Sequence, residues 1–596
     1  MKLTNPLSNR SSLHPAAERG AARRQWLFLA RVVVLVAVVV LGYKLLRAGL
    51  FGLAAYHQAT ELRALRDDGD LDSADLARAA SILGEAYRSV AALEQEMRLF
   101  APALHAARLL PWVGPTLAAT PELLVAGRES VALAAETLQL IAPAAAAQPA
   151  APMPEVLLAA IAAGPDPFAA LSSRAGAASR ALASIPAARL IGPLAEPVAQ
   201  AQSALALVAD GLTLAPVLPK LLGMYGAQTY LLLVQNNQEL RATGGFISAV
   251  GQVTINQGRI EGLEIADSYT VARNDVDHPR SPEPQERYMG IPLVFLRDAN
   301  WSPDFPTTAL LARSLYAQDA GVPVDGVATI DLRAVQLLVG ALGPLEVEGA
   351  DEPVTGANIV EQVQRFWDQP LETDLTIENA GQEWWKQRKD FMPILAQAAL
   401  GRLQSGHFNP LALADAAEAS LAERAVQVWM VDEDAAERLA ALGWDGGLHP
   451  LPGADYVALV DTNMGYNKVN AVLKRATYTD MVERCYFNYV RLYVPGGSEL
   501  VSVDGVEADS ASSQAGERGT QVFAGYFVQE PGSEHTVIFR YRLPPEITPT
   551  AYRLVVQRQS GSGPLPLTVQ AGDTRFATTL VEARLEWTPN MQTGGE

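Results

Sequence analysis

The chain is poor in the residues that most often announce chemistry. Cysteine occurs once in 596 residues, which excludes an internal disulfide framework. That residue, Cys485, sits in Glu483-Arg-Cys-Tyr-Phe487 within an expected strand and reads as a buried, inert thiol. The seven histidines, at 14, 57, 105, 278, 407, 449 and 535, are scattered. No HxxxH or CxxC spacing appears, so the sequence offers no zinc site. Basic residues are outnumbered, 46 Lys and Arg against 65 Asp and Glu, for a net charge of −19. No domain has the basic surplus that a nucleic-acid surface needs, which argues against nucleic acid as a partner. Even the apolar run near the N-terminus is short. Val32 to Tyr43 is 12 residues, against the roughly 20 that span a bilayer as a helix.

What is present is a chain that can fold along most of its length. The hydrophobic fraction is 49%, and the length calls for three or four structural units rather than one core. Residues 1–24 carry Lys2, Arg10, Arg19, Arg23 and Arg24 against one acid, Glu18. Residues 25–46 reach membrane-spanning length once Trp26 to Ala30 are counted and Arg31 and Lys44 snorkel to opposite interfaces. Acids follow at Glu61, Asp67, Asp68, Asp70 and Asp72. The positive-inside rule then makes 1–24 a cytoplasmic tail, 25–46 a single transmembrane helix, and everything after about residue 50 extracytoplasmic. A cleaved leader is the alternative. Arg23-Arg24-Gln-Trp-Leu27 is similar to a twin-arginine export signal, but no clean A-x-A site follows the apolar run.

Residues 57–220 read as an alanine-rich helical stalk. Asp72 or Ser73 caps a helix in which Leu76, Ala80, Leu83, Tyr87, Val90, Leu93, Met97 and Phe100 form one apolar stripe. Leu110-Pro-Trp-Val-Gly-Pro115 makes a corner. A second helix is expected over 121–140. Residues 142–154 hold three internal prolines and read as a linker. Further helices are expected over 155–163, 167–184 and 194–213. Such stripes are bundle core or, alternatively, a homotypic coiled coil that would make the chain an oligomer.

Residues 221–450 read as an α/β domain. Its distinctive stretch is Tyr230-Leu-Leu-Leu-Val-Gln-Asn-Asn-Gln-Glu-Leu-Arg-Ala-Thr-Gly-Gly-Phe-Ile-Ser-Ala-Val250. Tyr230 to Val234 is a buried strand, Gln235 to Arg241 a polar loop, and Phe246 to Val253 a second apolar segment. Gly244 and Gly245, beside Arg241, Asn236 and Asn237, let the backbone approach a bound group. Amide donors and a guanidinium converging there suit an anion such as phosphate. A plain Gly-Gly turn between strands is the alternative. A third strand over 260–266 ends at Asp267, and residues 273–290 read as a long mobile loop. The polar patch Asp298–Pro306 leads into a helix over 307–317. A strand over 326–330 precedes a helix over 332–341 that Asp331 caps. A short strand follows over 345–349, and a helix runs through 421–431 and 432–442. Trp384-Trp385 reads as a packing edge or, alternatively, a sugar platform. Residues 451–590, with seven or eight short strands and regular turns, read as an antiparallel β-sandwich. The expected fold class is thus multidomain α+β: transmembrane helix, helical stalk, α/β domain and β-sandwich.

Tyr230–Val250, Asp298–Pro306 and Asp461-Thr-Asn-Met-Gly-Tyr-Asn-Lys468 together resemble the bacterial family labelled "domain of unknown function 4012", over nearly the whole chain. A more distant likeness joins the α/β domain to the LytR-CpsA-Psr family. Val324 to Glu348 resembles that family's strand-to-helix segment, and Lys386 to Leu403 resembles its later helix. The likeness implies one N-terminal span, an external domain, and transfer of a glycopolymer from a polyprenyl-pyrophosphate carrier to the cell wall. It implies arginines on the pyrophosphate and acids on magnesium. Arg241 matches the first motif's arginine and Arg388 the later helix's. Where the family has Ser-Asp-Thr, this chain has Ala242-Thr-Gly-Gly245. The motif acid is absent, which removes a magnesium ligand, with Asp267 and Asp298 as the candidate replacements. The resulting ligand set is Asn236, Asn237, Glu239, Arg241, Thr243, Gly244, Gly245, Asp267, Asp298 and Arg388, with no residue assigned to catalysis or to a metal. The expected role is binding, with transfer as the enzymatic extension, of a lipid-linked glycan or cell-wall polymer at the membrane. A non-catalytic envelope scaffold or adhesion module is the alternative.

Overall fold

The structure is a computed structural model and describes residues 39–62, 64–65, 73–148, 153–368, 391–465 and 485–589. The chain divides into two compact units, one of helices up to Ala160 with Asp166–Ala209, the other made of Ile161–Pro165 with Asp210 onward.

In the helical unit, the Val39–Leu62 helix carries the described part of the expected span. It continues through residues 47–56 with no break after the expected span, because that stretch lacks proline and is rich in leucine and alanine. Val39–Leu62 and Gly114–Ala147 are both long and apolar enough to cross a membrane, and Glu155–Ala163 with Pro165–Arg189 makes a bent third candidate. The Ser73–Met97 helix buries Ile82, Leu83 and Ala86, whereas Tyr87 of the expected stripe is exposed. Of the expected linker over 142–154, residues 142–147 are helical and 149–152 lie outside the described residues. The Gly114–Ala147 helix runs through Pro121 and Pro143. Each proline removes one backbone bond, and the alanines after Pro143 are the best helix formers available to carry the last turn. Met153–Ala163, Pro165–Ala183 and Gly192–Leu214 complete the helices.

The second unit is built on two sheets. The first has the order β3-β2-β1-β4-β5, with β1 Gln228–Asn236, β2 Phe246–Asn256, β3 Arg259–Asp267, β4 Gly326–Asp331 and β5 Val426–Met430. Only β1 and β4 pair in parallel. The connection between them contains the Phe305–Ala320 helix. Phe305, Ala309, Ala312 and Leu315 of that helix share a core with Leu231, Leu233, Ile247 and Val250. Asp331 accepts a hydrogen bond from the Ala334 amide at 3.0 Å, capping Leu332–Leu342 as its sequence implies.

Three expectations fail here. Residues 426–430 are a strand rather than helix, since Val426 and Val428 suit the pleat and pair with Ile330 and Ala328 on the open side of β4. Residues 345–349 form only an isolated bridge, Leu345 with Val354. Residues 273–290 are not a free loop. His278 is buried with its Nε2 3.1 Å from Asp319 Oδ1, Glu283–Met289 is helical, and Tyr288 stacks on Tyr526 with centroids 3.9 Å apart.

The second sheet has the order β15-β12-β6-β7-β10-β9, with β6 Asp455–Val460, β7 Tyr486–Pro495, β8 Glu499–Asp504, β9 Ser512–Ala515, β10 Thr520–Gln529, β11 Ile538–Arg542, β12 Leu554–Gln557, β13 Leu565–Ala571, β14 Thr574–Leu580 and β15 Arg584–Trp587. It is not wholly antiparallel, because β6 and β12 run parallel. The ribbons β8–β11 and β13–β14 pack on it through Leu492, Val494 and Phe523 and through Leu554, Val556 and Trp587. The opposite set of side chains, Tyr456, Ala458, Val460, Tyr493 and Val522, packs with Ala242 and Leu448 of the first layer. The boundary at 450/451 therefore joins two sheets of one compact unit.

Burial pushes the Asp331 carboxyl up from 3.8 to about 6, against the pull of the Ala334 and Arg333 amides and of Arg558. The folded state then holds this proton more tightly than the unfolded state. The associated stability is complete below 3.8 and lost as pH rises through about 6. Asp331→Asn keeps the cap and removes the charge. It should raise the unfolding midpoint relative to wild type at pH 7 and leave it level or lower at pH 4, as read by thermal denaturation at both pH values.

Candidate functional site

The β1–β2 loop begins where β1 leaves the sheet beside β4. Its backbone curls tightly. The Glu239 amide donates to Asn236 O at 3.1 Å, the Phe246 amide to Glu239 O at 2.9 Å, and the Gly244 amide to Arg241 O at 3.0 Å. The remaining polar groups are met by groups of the second sheet and by Gln427 of β5. Gln559 Nε2 donates to Arg241 O at 2.9 Å and to Asp461 O at 2.7 Å. Gln427 Nε2 donates to Thr243 O at 2.7 Å and lies 3.1 Å from Ser560 Oγ. The Asn463 amide donates to Leu240 O at 2.9 Å. Gln557 completes the set, donating to Gly447 O at 3.1 Å and accepting from the Tyr456 hydroxyl at 3.0 Å. The stretch is a seam between two sheets.

The glycines obey the same logic. A Cβ on Gly245 would lie 2.3 Å from the Asn236 carbonyl, and one on Gly244, whose φ is +132°, would lie 2.5 Å from Gln235 Oε1. The close approach that the paired glycines permit is made by the protein itself. Thr243 is buried, and its hydroxyl oxygen accepts from Gln235 Nε2 at 2.8 Å and Asn300 Nδ2 at 3.1 Å.

Arg241 is buried, with Nη2 3.2 Å from Glu239 Oε1 and its guanidinium 5.9 Å from the Phe246 ring. Asp298 is buried beside it, 3.5 Å from Arg297 Nε. Burial raises the Asp298 pKa, Arg297 and Arg241 oppose that rise, and Glu239 adds to it. Tyr269 is pushed up to about 12, mainly by burial, with Glu239, Asp298 and Asp267 adding and Arg297 opposing. Tyr486 of β7 is raised by burial and by Asp461, with Arg241 opposing. Glu239, Arg241, Asp267 and Asp298 thus do gather at one place, and Arg297 and Tyr269 join them. The two guanidiniums are matched by carboxylates, so the cluster has no surplus positive charge. Arg241 Nη1, Asp298 Oδ2 and Asn237 Oδ1 are buried without a hydrogen-bond partner.

Asn236 Oδ1 accepts from the Gln238 amide at 3.2 Å, and Asn237 Nδ2 lies 3.4 Å from Gly561 O. Asp267 caps the short Ser268–Val271 turn through the Tyr269 amide at 3.0 Å. Arg388, Trp384, Trp385, Asn467 and Lys468 lie outside the described residues. Magnesium, implied by the LytR-CpsA-Psr likeness, does not fit. Asp298 and Glu239 are engaged by Arg297 and Arg241, and among the described residues no group of three His, Cys, Asp or Glu side chains is placed to hold a metal ion.

Sequence reasoning missed the partners of this loop. Arg491 of β7 is fully buried with its guanidinium 4.1 Å from the Trp301 ring, and Nη2 donates to Trp301 O at 2.8 Å. The period-2 pattern Phe487, Tyr489, Arg491, Tyr493 was the available signal, since an arginine alternating with aromatics on a strand calls for a partner. Gln427 lay hidden because its strand reads as helix.

Residues 225–366 match the family model described as "Protein of unknown function (DUF4012)". That match supports the DUF4012 resemblance over this segment. No curated protein matches the chain. Among solved structures, the Lin1025 protein from Listeria innocua is similar at 14% identity over 39% of this chain and 85% of its own, with a TM-score of 0.22.

If the loop is a seam, Gly245→Ala should destabilise the chain by roughly 1–3 kcal/mol or more through overpacking. Arg241→Met, which removes a buried cation paired with Glu239, should cost roughly 3–5 kcal/mol. Both are read as a lower midpoint in denaturant unfolding. A ligand loop of the same sequence would lose binding while keeping its midpoint.

Proposed function

We propose that this protein is a non-catalytic, single-span envelope scaffold, with its N-terminus in the cytoplasm and the bulk of the chain outside. The observation that carries the scaffold reading is the fate of the Gln235–Gly245 loop. Its Leu240 and Arg241 carbonyls accept from Asn463 and Gln559 of the second sheet, its amides and guanidinium are bonded within the loop, and its glycines are filled by neighbouring backbone and side-chain atoms. Five basic residues against one acid in 1–24 support the orientation.

The single span is supported by the charges on the other long apolar helix. In Gly114–Ala147, Arg128 pairs with Glu94 at 2.8 Å and Glu136 with Arg174 at 2.6 Å. Each such charge costs roughly 2.5–3.5 kcal/mol at the centre of a bilayer, which favours a stalk in water over a second crossing. Partners in this reading are the bilayer, cell-wall polymer or protein met by the two units, and a second copy through the stalk.

A second reading is favoured by Arg241 Nη1, which is buried without a hydrogen-bond partner. In it the cluster admits the phosphate of a lipid-linked glycan, as the LytR-CpsA-Psr likeness implies. Titration of a short-chain polyprenyl diphosphate into the full chain in detergent, with and without magnesium, separates the two. The scaffold reading expects no saturable binding. Saturation that Arg241→Lys and Asn237→Ala both weaken would replace it with the second.

A further inference from the structure

The helical unit presents one apolar feature that nothing in it covers. At the corner between Ser73–Met97 and Gly114–Ala147, Leu109 is 84% exposed, Leu110 50%, Trp112 90% and Val113 44%. Trp112 has a φ of +67°, a left-handed conformation that a bulky side chain adopts only at a cost. That strain gains no packing, since the indole is almost wholly outside. Arg98 and Arg108 flank the corner and are exposed.

The position of this corner follows from the helix pairings. Lys44 and Arg47 both pair with Glu96, at 2.8 and 3.1 Å, and Gly52 lies next to Leu93. Partner numbers fall as the first helix advances, so Val39–Leu62 and Ser73–Met97 are antiparallel. The chain beyond Met97 therefore continues along the N-terminal side of Lys44, the side of the apolar span. Arg128 marks the level of Glu94 on the returning helix, and His105 pairs with Glu122 at 3.2 Å further along. From Arg128 back to Gly114 the helix covers roughly 20 Å at its standard rise. The corner thus projects well past Lys44, toward the membrane that the span would occupy.

We propose that Leu109–Val113 is a membrane-inserting tip, seated in the outer leaflet beside the anchor, so that the helical unit stands on the bilayer at two points. This rests on the single-span reading above. Tryptophan and leucine suit the interface between headgroups and acyl chains. Arg108 is placed to snorkel to lipid phosphates, while Arg98 is held by Glu94 at 3.1 Å. The occupant is the lipid of the protein's own membrane.

The test uses the full chain with Cys485→Ser, reconstituted in phosphatidylethanolamine–phosphatidylglycerol vesicles. Nitroxide labels are placed singly at Trp112→Cys, Leu35→Cys and Glu85→Cys. Accessibility to oxygen relative to a water-soluble nickel chelate reports depth. The proposal expects a ratio at position 112 several-fold above that at the exposed position 85. An equal ratio overturns it. So does dipolar broadening at 112 that dilution with unlabelled protein removes, because a second copy would then cover the tip. Position 35 reports the anchor separately. A water-like ratio there ends the single-span reading, while the ratio at 112 still decides whether the tip inserts.

Discussion

Two sheets that meet through polar groups must satisfy those groups with each other, because no bulk water reaches them. Three glutamines discharge most of this requirement. Gln557 and Gln559 each place an amide NH2 on a backbone carbonyl across the seam, and Gln427, on β5 of the first sheet, reaches across it to Ser560 Oγ. A buried donor left unmade costs roughly 1–3 kcal/mol, so a small shift of one sheet over the other forfeits several bonds together. An apolar interface of the same area would tolerate sliding. This one fixes a single register, and with it the position of the β1–β2 loop.

That constraint decides what the loop's conspicuous residues are for. A phosphate loop needs donors aimed into open space and an excess of positive charge. Here the Phe246 amide is bonded to Glu239, and Arg241 is bonded to the same residue's carboxylate. Gly245 packs on the Asn236 carbonyl and Gly244 on Gln235. Sterically small residues beside an arginine describe a ligand site and a tight internal junction equally well. The two differ only in whether the facing atoms belong to a ligand or to residues some 300 positions later in the chain, such as Gln559 and Ser560.

Local signals were legible for this reason, and long-range ones were not. The strands at 230–234 and 246–253 and the Asp331 cap all follow from nearest neighbours in the sequence and all stand where expected. No spacing ties Asp267 or Asp298 to Arg241, and only the fold brings them near one another. Three readings needed distant partners. The 273–290 segment is charged and proline-rich, yet His278 finds Asp319 and Tyr288 finds Tyr526. Val426–Met430 is short and flanked by helix formers, and becomes a strand only because β4 offers an edge. The closed character of the glycine loop depends on β12 and the residues after it, which no local pattern ties to it.

Register in the helical unit is set by different means. Alanine-rich faces are smooth, and smooth helices slide over one another with little loss of packing. Ionic pairs remove that freedom. Glu96 takes Lys44 and Arg47, Glu94 takes Arg128 and Arg98, and Arg174 takes Glu136. Exposed pairs are worth little, but Glu94 and Glu96 are themselves buried. A one-turn slip would leave their carboxylates without cations, a penalty much larger than any packing lost between alanines. The same pairs that lock the hairpin also fix how far its corner reaches past Lys44, so the depth of Trp112 relative to the span is a consequence of charge placement rather than of loop length.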